Sequence, residues 1–135
     1  MPTWKFEHPG GGDLAIPAGV EVPDAWVWVD VVSRNLAVAE GDLWDPAGAD
    51  AEIYRVMFIV VNNSAAPVTG IYIGRDPNSA GALASPYYWM HDETIPRRGD
   101  SGWCGPFYMH GDDAIRGYSD LGAVASIFFD VRRVL

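Results

Sequence analysis

The chain has 135 residues and a formal net charge of −9, and only one of its nine basic residues is a lysine, Lys5. A surface this acidic would repel a phosphate backbone, which argues against a nucleic-acid partner. No apolar segment approaches the roughly 20 residues of a membrane span, and the first twelve residues hold no hydrophobic signal core, so a soluble chain without a cleavable leader is expected. Cys104 is the only cysteine, so no internal disulfide can form and the fold must rest on packing, which fits assembly in a reducing compartment.

Fifteen glycines, ten prolines, six tryptophans, six tyrosines and five phenylalanines favour short strands joined by turns over a helical bundle. Residues 1–24 carry Pro2, Pro9, Gly10 to Gly12, Pro17, Gly19 and Pro23. That spacing leaves no room for a long regular element and predicts an extended arm. Trp4, Phe6, Leu14, Ile16 and Val20 make the arm apolar enough to lie along a surface, its own or a neighbour's. Ala25 to Ser33 alternates as a strand, with Val27, Val29 and Val31 on one face, and Arg34 to Glu40 continues it after a kink. Residues 41–50 form a turn-rich link around Trp44.

Residues 51–75 contain the longest apolar run. Tyr54, Val56, Phe58 and Val60 fall on one face of an extended chain and Ile53, Met57, Ile59 and Val61 on the other, which predicts a strand in the middle of a sheet. Asn62 to Pro67 reads as the loop of a hairpin, and Val68 to Ile73 as its return strand with a bulge at Gly70. A second turn cluster at 76–81 precedes a strand over 82–90, and Pro86 would keep it at an edge or confine its start. A proline-bearing connection over 94–99 leads to a strand at 103–110, a short segment at 114–118 and a last strand at 122–134. In that last strand Ala123, Ala125, Ile127, Phe129 and Val131 face inward, and Ser126, Asp130 and Arg132 face water. The fold expected is all-β, an antiparallel β-sandwich or jelly roll of about seven to eight strands over residues 25–135, with the N-terminal arm extended.

Chemistry-bearing residues are scattered. His91, Asp92 and Glu93 are consecutive, so a strand would point them to opposite faces, and with His8 and His110 they match no closed zinc spacing. Gly111, Asp112 and Asp113, with Asp100 and Asp120, offer oxygens but lack the alternation of a calcium loop. Ser101 and Cys104 lie near His91 and His110 in sequence without a nucleophile elbow or a Cys/His signature. No enzyme, metal or cofactor is expected. Arg98 to Ser101 spells an adhesive tetrapeptide and Asn62 to Ser64 a glycosylation sequon, and both are read as turns. The aromatics are more informative, because indoles favour interfaces and sugar-stacking platforms. Trp4, Phe6, Trp26, Trp28 and Trp44 are the expected interface. Tyr87, Tyr88, Trp89 and Trp103 would be the stacking residues of an alternative, a carbohydrate-binding module.

The stretches VVNNS (60–64), APVTGIYIG (66–74), WCGPFYMHGDDAIRGYS (103–119) and GAVASIFFDVRRV (122–134) together resemble small β-sandwich virion structural proteins of tailed bacteriophages. Gly105, Pro106 and Phe107 match that family's strand opening, Gly111, Asp113 and Ile115 its turn, and 123–134 its terminal strand. The tryptophan-rich first fifty residues depart from the shorter family pattern. The resemblance implies a non-enzymatic part, such as a capsid decoration (cement) protein or a head, tail or fibre accessory. It also implies a homotrimer docked on the major capsid or tail protein, located in the virion and assembled in the host cytoplasm.

Overall fold

A computed structural model describes residues 5–7, 13–15, 26–84, 86–122 and 124–134. Of the expected arm, these include β1 (Lys5–Glu7) and β2 (Asp13–Ala15), which pair antiparallel with each other. Trp4 and His8 lie outside the described residues. The other strands are β3 (Trp26–Val29), β4 (Arg34–Asn35), β5 (Gly41–Trp44), β6 (Ile53–Asn62), β7 (Val68–Asp76), β8 (Tyr88–Ile95), β9 (Cys104–His110), β10 (Ala114–Tyr118) and β11 (Ala125–Val134). One short 3-10 turn, Pro77–Ser79, realises the second turn cluster. No helix among the described residues is long and apolar enough to cross a membrane.

Two antiparallel sheets pack as a sandwich. One has the order β5-β10-β7-β8; the other runs β3-β11-β6-β9, with β4 also pairing β11. Among the described residues the count is therefore nine sandwich strands, against the seven or eight expected, because the turn-rich link contains β5. There Leu43 and Trp44 anchor a strand against β10 despite the flanking turn residues. As its two apolar faces require, β6 is central, between β11 and β9. It does not form a hairpin with β7, which belongs to the other sheet. Residues 63–67 cross from sheet to sheet, and a strand with apolar residues on both faces already has both edges occupied by more distant partners. Gly70 does mark a bulge: its φ is +59° where the β7–β8 register shifts, and a Cβ there would collide with the Asp120 carboxylate. Of the two outcomes Pro86 left open, both hold: β8 is an edge strand, and it begins only after the proline, at Tyr88.

Between the sheets, Val56, Phe58, Val60, Ile71, Ile73, Ile115, Ile127 and Val131 are fully buried. Apolar burial of this kind is the main favourable contribution to folding. A bulge in β8 sets Ile73 opposite Met90 but Gly74 opposite Tyr88, so Trp89 is the extra residue and turns into the core. Its ring stacks on Phe107 at 4.8 Å and lies 6.3 Å from Phe58. The expected solvent face of β11 is corrected. Asp130 and Arg132 point away from the core, yet both are buried.

Candidate docking surface

The outer face of the five-stranded sheet is built around one cross-strand row. Register sets Trp28 (β3) opposite Arg132 (β11), Arg132 opposite Arg55 (β6), and Arg55 opposite Tyr108 (β9). Side chains directly opposite each other are in contact range, and like charges so placed repel. Three features offset the repulsion. The Arg132 guanidinium lies 4.0 Å from the Trp28 ring centroid, a cation–π contact. Asp130, one row away, brings Oδ1 to 3.7 Å from Arg132 Nε. Arg55 Nη2 lies 3.3 Å from Met57 Sδ. Burial pulls the Arg55 pKa below the usual guanidinium value, the Asp130 charge opposes that, and Arg132 adds to the lowering. Arginine still keeps its proton at any physiological pH.

Around this buried centre stand exposed apolar side chains. Trp28 is 59 %, Tyr108 56 %, Phe128 43 % and Ile53 41 % exposed. Aromatic side chains with arginine are the composition enriched at protein interfaces.

The outer face of the four-stranded sheet differs. Tyr72 and Tyr118 are cross-strand partners whose rings stack at 4.8 Å, with Tyr88 and His91 packed edgewise or tilted against Tyr72. Their faces cover one another. Burial, with nearby Asp92 and Tyr88, raises the Tyr72 pKa, and burial with Tyr88 and Tyr72 raises that of Tyr118. Tyr54, whose hydroxyl donates to Glu52 at 2.7 Å, is raised by burial and by that bond. A folded-state pKa above the unfolded value of 10.0 contributes stability that is complete below pH 10 and is lost as pH rises through the folded value. Phenolate absorbance during alkaline titration should therefore show these three tyrosines ionising last. Tyr72→Phe should remove one late-ionising group and flatten the alkaline fall in stability, and an unchanged titration curve would contradict the cluster.

The expected site residues separate. Among the interface set, Trp28 is on the docking face, Trp26 lies two residues before it on β3, Phe6 is in β1, and Trp44 packs against the core, edge-on to Tyr54 at 5.2 Å. The stacking set is spread over different surroundings. Trp89 is in the core stack, Tyr87 faces Arg75 at 5.2 Å, Tyr88 joins Tyr72, and Trp103 is half-buried before β9. His91 packs on Tyr72 and Tyr88, and His110 Nδ1 lies 2.9 Å from the Asp50 carbonyl. Among the described residues no three His, Cys, Asp or Glu side chains gather to hold a metal. Asp113 instead accepts from His110 N, Asn78 N and Arg75, while Asp100 accepts from Gly102 N and Asp120 from Thr69.

Ser101 Oγ accepts from Val60 N and donates to the Gly102 carbonyl, and burial pushes the neighbouring Cys104 thiol up, away from the reactive thiolate. In the adhesive tetrapeptide, Arg98 donates to the Asn63 carbonyl at 2.6 Å and Asp100 bridges to Val61, so the fold itself occupies these residues. A shallow cleft of about 290 Å³, bounded by Arg34, Asn35, Asp42 and Leu43, is at the small end for a ligand site.

The arginine row was not anticipated. Its signal in the sequence was Arg55, the single charge in the apolar run of β6. Compared with family models, curated proteins and solved structures, the chain finds no match.

Proposed function

We propose that the protein is a non-enzymatic structural component of a phage-type virion, a decoration or head/tail accessory protein, that docks as a homo-oligomer through the outer face of its five-stranded sheet. The observation that carries the docking is the set of four exposed apolar side chains, Trp28, Tyr108, Phe128 and Ile53, framing one sheet face. An exposed apolar set on one face is a recognised mark of an interaction site. The virion assignment, with a capsid or tail protein as the second partner, rests on the motif resemblance and agrees with the sandwich architecture. A carbohydrate-binding module is less favoured, since Trp89 is committed to the core and Tyr72, Tyr88 and Tyr118 cover one another's faces.

Light scattering across a concentration series tests the docking. The full chain is expected as a trimer, and Trp28→Ser with Tyr108→Ser should shift it to monomer with an unchanged circular dichroism spectrum. A full chain that stays monomeric at every concentration would overturn the homo-oligomer.

A further inference from the structure

Residues 36–40 carry the chain from β4, in the five-stranded sheet, to β5 at the edge of the four-stranded one, and the cleft of about 290 Å³ opens beside this crossing. Two bonds fix the crossing: Leu36 N donates to the Ala125 carbonyl at 2.8 Å, and Ser119 N to the Ala37 carbonyl at 3.0 Å. The hollow follows from the smallness of its lining. Gly41 and Gly117 are cross-strand partners, and a Cβ at Gly41 would meet nothing within 4 Å. Ala37 and Ala39 add only methyl groups, beside the apolar Leu43.

Arg34 supplies the positive charge of this lining. Its register partner is Ile127, a fully buried core residue. Residues directly opposite share a sheet face, so Arg34 stands on the side of β4 that looks between the sheets. It is nevertheless exposed, and among the described residues no hydrogen bond, ion pair or ring contact engages its side chain. The carboxylate on the same lining is already engaged. Asp42 Oδ1 accepts from Arg116 Nη1 at 2.6 Å, and Arg116 also pairs with Glu40 at 3.2 Å.

A free guanidinium beside a small apolar hollow matches one ligand chemistry. Its planar fork takes both oxygens of a carboxylate, and a short aliphatic body displaces water from the alanine, glycine and leucine surface. A phosphate fits less well, because its second charge would stand near the Asp42 and Glu40 carboxylates. We infer that the cleft binds a short aliphatic carboxylate, free in solution or as the side chain of a partner's glutamate, with Arg34 holding the carboxylate. The site is separate from the exposed aromatic set of the docking face and does not depend on the proposed oligomer.

Titration of the isotope-labelled full chain with butyrate, followed by NMR, tests it. The Arg34 Nε–H and the Ala37 and Ala39 methyls should shift and saturate together, with a Kd of about 1 mM, as one bidentate charge-assisted pair would give. Arg97, also exposed but outside the cleft, should not saturate with them. Arg34→Gln should raise the Kd roughly tenfold or more. Gly41→Val, which grows into open space, should abolish binding and leave the dispersion of the spectrum unchanged. N-acetylglutamate α-amide, with the same carboxylate on a peptide unit, separates the two sources: binding as tight as butyrate admits a partner's side chain, and no binding restricts the site to a free ligand. Absence of a saturable shift with butyrate, equal saturation at Arg97, or a Kd unchanged in Arg34→Gln would overturn the inference.

Discussion

Phe58→Ala is expected to destabilise the protein by about 4 kcal/mol. Phe58 is completely buried on the central strand of the five-stranded sheet, 5.8 Å from Phe107 and 6.3 Å from Trp89. These three rings join β6 and β9 of one sheet to β8 of the other. Removing the Phe58 ring loses its transfer free energy and leaves a cavity that stacked aromatic neighbours fill poorly. Native domains have total stabilities of about 5–15 kcal/mol, so the variant should be near its unfolding threshold at room temperature. Urea denaturation followed by tryptophan fluorescence checks this, since Trp89 reports on the same stack. A loss below about 1 kcal/mol would mean that the stack collapses freely into the space, and that the sheets are held chiefly elsewhere.

The second large effect is expected at Asn62. This side chain is 1 % exposed at the end of β6. Its Nδ2 donates to the carbonyls of Ala66, Ile95 and Pro96, while its Oδ1 accepts from Ser64 N. One amide thus closes the crossing between the sheets and ties it to the end of β8. Asn62→Ala strips the buried Ile95 carbonyl and the part-buried Ala66 and Pro96 carbonyls of their donor, and a buried polar group so left costs about 1–3 kcal/mol unless water reaches it. A net loss of about 3 kcal/mol is expected. Asn62→Asp should be worse, because it replaces the donor with a charge facing three carbonyl oxygens. Thermal unfolding of the three proteins checks the order, and an Asn62→Asp variant as stable as wild type would show that solvent enters the crossing. The same geometry makes Asn62 a poor glycan acceptor, despite the sequon it begins.

Strand identities were legible where alternation was strong. The central position of β6, the bulge at Gly70, the edge position of β8, and β9, β10 and β11 all follow from side-chain period and turn residues. Pairing was not legible. Nothing local to 51–75 says that β6 and β7 belong to different sheets, because that is decided by β9 and β11, which arrive some fifty and seventy residues later. The site was hidden for a related reason. Arg55 reads as a lone interruption and Arg132 as an ordinary solvent-facing charge until the β6–β11 register makes them neighbours. Trp89 likewise reads as exposed on a simple alternation. Only the bulge between Tyr88 and Met90, set by pairing with β7, turns it inward.

The outer edges of the two sheets bear on how copies of this chain can meet. The edge strand β8 shifts register three times against β7 and holds Asp92 at a φ of 49°. At the other sheet's edge β9 carries Pro106, which has no N–H to offer, beside Gly105 at a φ of 118°. Neither β8 nor β9 presents the straight row of donors and acceptors that another backbone could extend. Strand addition at these two edges is thereby discouraged, and a neighbour meeting them must be chosen by side chains. Recognition then depends on individual residues, so a substitution on one face can change which copy or partner fits without changing the scaffold.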